Sequence, residues 1–91
     1  AILMLTKNQA KEWGPYGIRV NAICPGLIQT KFSAALWTNE KLLNKVEKTI
    51  PSRRMGQPEE MMGMACLLAS DAGSYMTGGV YTADGGYMIA G

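Results

Sequence analysis

The strongest constraint on this chain is that its strand-like residues fall into two short runs, Ile18-Arg19-Val20-Asn21-Ala22-Ile23-Cys24 and Gly79-Val80-Tyr81-Thr82-Ala83, with helical patterns between them. Both runs are rich in β-branched or aromatic residues. Gly17 and Pro25 bound the first, and Asp84-Gly85-Gly86 stops the second, so each reads as a strand. Two strands joined through helices make a βαβ unit, which is right-handed in nearly every known case. The class is α/β. Two parallel strands cannot complete a sheet buried on both faces. No third candidate strand is present, so the remaining strands are expected from an absent N-terminal portion or from another copy.

The segments around the strands carry helical signals. Ile2, Leu5, Gln9 and Trp13 share one face with Lys7 and Lys11 opposite, as in an amphipathic helix ended by Gly14 and Pro15. From Ser33 to Ile50, Leu42, Val46 and Ile50 recur at helical spacing while Lys41, Lys45 and Lys48 take the wet side, with a short turn of helix at Ala34 to Trp37 before them. Pro58-Glu59-Glu60 opens a further helix, with Pro at its first position and two acids at the positive end of the dipole. Met61, Ala65 and Leu68 are its expected buried face. Ser70 to Ser74 is turn chemistry.

Composition excludes several function classes. The chain has 91 residues, 47% of them hydrophobic, which suits one small packed domain. Its net charge is +2 with the cations scattered, which is no nucleic-acid footprint. The longest apolar run, Met61 to Ala69, is far short of the roughly 20 residues that span a membrane. The first residues lack the basic and small-residue features of a signal peptide and read as though they began mid-helix. Cys24 and Cys66 have no CxxC spacing and read as small buried hydrophobes in a reducing compartment.

Histidine is absent, so Ser-His-Asp and Cys-His mechanisms within the chain are excluded and no metal site is expected. No tyrosine has a lysine four residues on: Val20, Gly79, Gly85 and Gly91 follow Tyr16, Tyr75, Tyr81 and Tyr87 at that spacing. A GxGxxG turn is also missing.

Taken in order, IRVNAICPGLIQT, IPSRRMGQPEE and LLASDAGSYMTGGVYTADGG resemble the last third of a short-chain dehydrogenase/reductase. The PGLIQTKFSAALW wording is nearest to the branch of member-four carbonyl reductases. The resemblance implies that residues 1–91 are the C-terminal part of a single NAD(P)-binding Rossmann domain. They would supply two strands, with crossover helices, of a doubly wound parallel sheet. Ligands bind beyond the carboxyl ends of such strands. Pro25, Gly26, Leu27, Ile28 and Thr30 would then form the nicotinamide end of an NAD or NADP site, where the Ile28 backbone and the Thr30 hydroxyl bond the carboxamide. Gly26 would let the backbone approach a flat ligand. On the residues alone, Thr30 reads as the cap of the next helix.

Phe32, Leu36 and Trp37 correspond to the family's substrate lid or, on the residues alone, to the core face of a helix. Arg53 and Arg54 are expected to be solvated, and Asp84-Gly85-Gly86 to be a tight turn rather than a catalytic acid. The family's catalytic Ser, Tyr and Lys have no counterpart here, so no catalytic residue is named. The implied protein is a cytoplasmic oxidoreductase that interconverts a carbonyl and a secondary alcohol on a small molecule, without nucleic-acid or membrane partners. It would be a homo-oligomer, with Ala1 to Trp13 and Tyr87 to Gly91 near subunit contacts. The alternatives are a non-catalytic self-associating module and a cofactor-binding regulator on the same fold.

Overall fold

The computed structural model describes residues 1–89; Ala90 and Gly91, part of the expected second subunit contact, lie outside the described residues. The element order is α1 (Ile2–Trp13), β1 (Ala22–Pro25), α2 (Ala34–Trp37), α3 (Glu40–Thr49), α4 (Met62–Ala69) and β2 (Val80–Ala83). β1 and β2 pair in a two-stranded parallel sheet. The chain forms two compact units, one of Ala1–Cys24 with Gly63–Thr82 and one of Pro25–Met62 with the residues from Ala83 on.

In the first unit, burial on α1 falls on Thr6 and Ala10, not on the expected face: Ile2 and Leu5 are exposed. The Thr6 hydroxyl donates back to the Ile2 carbonyl at 2.9 Å, which satisfies its polar group and lets a small side chain face inward. β1 also starts later than Ile18. The residues before it are held by partners outside the ladder: the Val20 N–H donates to Thr77 Oγ1 at 3.1 Å, and the Val20 carbonyl accepts from Gly78 at 2.7 Å. Asn21 donates to the Met76 carbonyl at 2.9 Å and accepts the Gly79 N–H at 3.1 Å. That last bond takes the donor that would have begun β2, so β2 starts at Val80.

Arg19 donates to the carbonyls of Leu68 at 2.7 Å, Met76 at 3.2 Å and Ser70 at 3.3 Å. The Leu68 bond places a cation on an orphan carbonyl in the last turn of α4, where the helix dipole favours one. On α4 itself Ala65 is exposed rather than buried, and so is Cys66; Cys24 is half-buried, and both thiols are free. Among the described residues no helix is long and apolar enough to cross a membrane.

The second unit is organised around Ile50 and Met55, which are 1% and 2% exposed. Of the expected Leu42–Val46–Ile50 stripe, Leu42 is exposed, Val46 is half-buried and only Ile50 is buried; Ile50 follows the last residue of α3 in an extended conformation, so its burial comes from the chain after the helix and not from a helical face. The Asn39 side chain caps α3 by accepting the Leu42 N–H at 3.2 Å. At the end of β1, the Gly26 N–H donates to the Ala83 carbonyl at 3.0 Å. The space a side chain would need at Gly26 is filled: an added Cβ would stand 2.5 Å from Asp84 Cβ and 2.6 Å from its Cα. Gly26 is therefore required by the neighbouring backbone, which is a different reason from the expected approach of a flat ligand.

This packing predicts that Gly26→Ala destabilises the protein by about 1–3 kcal/mol or more, since backbone has to move to admit one methyl group. Gly63→Ala, in α4 with nothing near its added Cβ, should instead stabilise by about 0.5–1 kcal/mol. Urea unfolding of the two variants beside the parent protein measures both; equal midpoints would refute the contrast.

Candidate nicotinamide-end site

The residues expected at the nicotinamide end all lie in the second unit. Pro25 closes β1, and beyond Gly26 the backbone pairs once more, through an isolated parallel bridge between Ile28 and Gly56. The Gly56 N–H donates to the Leu27 carbonyl at 2.8 Å, and the Gln29 N–H donates to the Gly56 carbonyl at 2.9 Å. Successive peptide groups of an extended chain point to opposite edges, so this pairing turns the N–H and carbonyl of Ile28 away from Gly56. On that far edge the Ile28 carbonyl accepts from Ser33 Oγ at 2.6 Å. The Ile28 N–H has no protein partner among the described residues.

Thr30 and Ser33 cap one another. The Thr30 N–H donates to Ser33 Oγ at 2.9 Å, and the Ser33 N–H donates to Thr30 Oγ1 at 3.2 Å. These bonds close the turn ahead of α2, whose N-cap is Ser33 and not Thr30, and they leave the Thr30 hydroxyl room for a further partner. The single hydroxyl proton of Ser33 goes to Ile28, so Thr30 keeps its own proton with only a long 3.3 Å contact to Ser33 Oγ. A carboxamide needs both a donor and an acceptor. The Ile28 N–H, the Thr30 hydroxyl proton and the second lone pair of the Ile28 carbonyl offer that set, so these residues fit the group.

The segment after Thr30 is tied to it by the Trp37 indole, whose Nε1 donates to the Thr30 carbonyl at 3.0 Å. Leu36 and Trp37 are half-buried, whereas Phe32 is fully exposed.

Behind the Ile28 segment, Arg54 grips Glu60 with two bonds, 2.6 Å to Oε1 and 2.8 Å to Oε2. Glu60 Oε1 also accepts the Gln57 N–H at 2.9 Å, while Gln57 Nε2 donates to Gln29 Oε1 at 2.9 Å. The hydrogen bonds from Arg54 and then from Gln57, with the Arg54 charge, hold the Glu60 carboxyl at about 2 against an ordinary 4.5. The same bond pushes the Arg54 guanidinium up. Arg54 is thus paired rather than simply solvated. Arg53 is also committed: it donates to the Lys48 carbonyl at 2.5 Å and the Ile50 carbonyl at 3.4 Å, with its backbone at φ 60°.

Asp84 accepts the N–H groups of Gly86 at 2.9 Å and Met88 at 3.0 Å, so its carboxylate is consumed by the turn, as expected of a structural acid. A cleft of about 160 Å³ lined by Leu27, Ile28, Gly56, Glu60 and Asp84 is smaller than the roughly 300 Å³ at which ligand pockets begin. No cluster of three or more metal-ligating side chains occurs among the described residues.

Ser33, Gly56, Gln57 and Glu60 were not recognisable as site residues from sequence reasoning. A local signal was present for two of them: Gln57 and Glu60 stand at capping-box spacing around Pro58.

A family model described as enoyl-(acyl carrier protein) reductase matches residues 1–88. Dehydrogenase/reductase SDR family member 4 of Rattus norvegicus is 42% identical over 86 residues, covering 94% of this chain and 31% of its own. A 4-hydroxyisoleucine dehydrogenase solved in complex with NADH superposes with a TM-score of 0.92 at 31% identity, covering 97% of this chain and 36% of that one. A gluconate 5-dehydrogenase from Burkholderia cenocepacia, solved with NADP and tartrate, gives 0.90 at 35% identity, covering 98% and 35%. The chain spans about a third of the length of the relatives it matches.

Because the folded carboxyl of Glu60 sits at about 2, below its ordinary 4.5, its stabilising effect is complete above 4.5 and lost as pH falls toward 2. The pair is largely exposed, so the effect should also shrink with added salt. Thermal unfolding followed across that pH window should show Glu60→Gln losing less stability than the parent protein; parallel curves would refute the assignment.

Proposed function

The chain belongs to the short-chain dehydrogenase/reductase family, and from this we propose that it forms the nicotinamide end and substrate lid of an NAD- or NADP-dependent oxidoreductase. The observation that carries the proposal is the outward-turned Ile28 N–H beside the Thr30 hydroxyl, just past the carboxyl end of β1. Ligands of open α/β sheets bind in that position. Relatives solved with NADH and with NADP support the choice of cofactor class.

In this proposal the Ile28 N–H and the Thr30 hydroxyl hold the carboxamide, Pro25 and Gly26 set where the strand ends, and Leu27 carries the chain between them. The cofactor, when bound, supplies hydride exchange with a carbonyl or secondary alcohol. The contribution of these residues is orientation: fixing the carboxamide fixes which ring face meets the substrate. In the same reading Leu36 and Trp37, the latter anchored to the Thr30 carbonyl, would be the base of the lid, and the exposed Phe32 would cover substrate. The acid/base Ser, Tyr and Lys of the family, with the phosphate-binding turn, are proposed to come from a further segment of one Rossmann domain.

The two-stranded sheet and the exposed Ile2, Leu3, Met4 and Leu5 of α1 support a larger assembly, either further strands or the neighbours of a homo-oligomer. The same exposed stretch favours a second reading, a self-associating module without turnover. The free, accessible Cys66 suits a reducing compartment such as the cytoplasm.

The full-length protein, offered a panel of ketones and diketones, should consume NADH or NADPH, and Thr30→Val should cut kcat/KM about five- to tenfold by removing one hydrogen bond. Absence of reduced-nicotinamide oxidation across the panel refutes the oxidoreductase reading. An unchanged Thr30→Val rate removes Thr30 from it.

A further inference from the structure

We propose that Gly56, held by the Arg54–Glu60–Gln57 buckle, is a positioning residue that sets the direction of the Ile28 N–H toward the nicotinamide; this rests on the reading of Ile28 as the nicotinamide-end donor. The ladder of β1 with β2 makes its final bond from the Gly26 N–H to the Ala83 carbonyl, after which the second strand turns away through Asp84–Gly86. Leu27 to Gln29 therefore need another partner to stay extended, and Gly56 provides it through one donor and one acceptor. Losing that partner frees the Leu27 and Ile28 peptide planes to rotate. Among the described residues, the bond from Ser33 to the Ile28 carbonyl is then what remains to restrain the direction of the Ile28 N–H.

Geometry explains why a glycine stands there. A Cβ at Gly56 would lie 2.7 Å from Ile28 Cδ1, 3.8 Å from the Leu27 carbonyl oxygen and 4.0 Å from Glu60 Oε1. A methyl group meets only the end of a flexible side chain, which can swing aside. The two branches of a valine also reach the bridge carbonyl and the buckle carboxylate, so valine separates the strands where alanine does not. Arg54, Glu60 and Gln57 hold the position from behind, because Glu60 Oε1 fixes the Gln57 N–H next to Gly56 and the Gln57 side chain reaches Gln29 on the other side of Ile28. The buckle thus ties down residues that flank the bridge on both of its strands.

The test compares two ligands on the full-length protein by calorimetry: NADH or NADPH, and the matching ADP-ribose, which lacks the nicotinamide. Gly56→Val should weaken the dinucleotide about tenfold, or about 1.4 kcal/mol, and leave ADP-ribose affinity unchanged. Gly56→Ala should change the dinucleotide less than about threefold. If Gly56→Val does not fold, Arg54→Gln, which opens the buckle without crowding Ile28, should show the same ligand-selective loss at smaller size. A variant that binds both ligands equally more weakly has only lost structure, and one that binds both as the parent does has lost nothing; either overturns the positioning role. Parent protein that binds the dinucleotide no better than ADP-ribose overturns the nicotinamide-end reading itself, a result the variants cannot produce.

Discussion

The two hydrogen bonds between Gly56 and the Leu27–Gln29 backbone are the constraint on which the candidate site depends. An extended chain alternates the direction of its peptide groups, so committing the Leu27 carbonyl and the Gln29 N–H to one edge sends both groups of Ile28 to the other. β1 could not achieve this with β2 alone. Pro25 contributes no N–H, Gly26 makes the last ladder bond, and Gly85 and Gly86, at φ 64° and 91°, carry the partner strand out of register. A segment remote in sequence takes over the ladder where the first partner leaves it.

What holds that segment in place is burial at its ends, more than the ion pair beside it. Met55 precedes Gly56 and Ile50 ends α3, and both are almost completely buried. Each such side chain contributes about 1.5–3 kcal/mol on burial, whereas exposed ion pairs typically contribute less than about 1 kcal/mol. The short connection between the two anchors is tight enough to force Arg53 to φ 60°, which a side chain resists. Its guanidinium offsets part of that cost by satisfying the carbonyls of Lys48 and Ile50, the first of which is an orphan of the helix end. Arg54–Glu60 then selects one arrangement of an already anchored loop, which is a matter of geometry more than of stability.

The features legible in the sequence are those written in local chemistry. Both strands, the short Ala34–Trp37 helix ahead of α3, the Pro58 opening and the Asp84–Gly86 turn follow from residues within a few positions of each other. The Ser33 bond to Ile28, the Gly56 bridge and the Arg19 bonds are of another kind. Arg19 reaches the Leu68 carbonyl across a sequence separation of 49, and nothing near either residue announces it. The buried face of α1 departs from the apolar pattern for a related reason. Ile2 and Leu5 are more apolar than Thr6 and Ala10, but small side chains, one with its hydroxyl internally satisfied, are the ones turned inward. Ala65 and Cys66, apolar yet exposed on α4, show the same limit: periodicity assigns a face only where a partner surface exists to cover it.

Under the proposed function, the site's reliance on backbone has a chemical consequence. The Ile28 N–H does not titrate, and the Thr30 hydroxyl stays protonated at any working pH, so their donation is constant while an acid/base residue elsewhere changes state. Among the described residues the strongly shifted carboxyl is that of Glu60, which is held at about 2 and stays ionised throughout that range. A group useful for proton transfer needs a pKa near the operating pH, and the same tuning would make a poor orienting contact, because its hydrogen bonding would reverse as it titrated. Separating the two tasks onto different segments keeps the carboxamide in one orientation across the pH range in which the proton is moved.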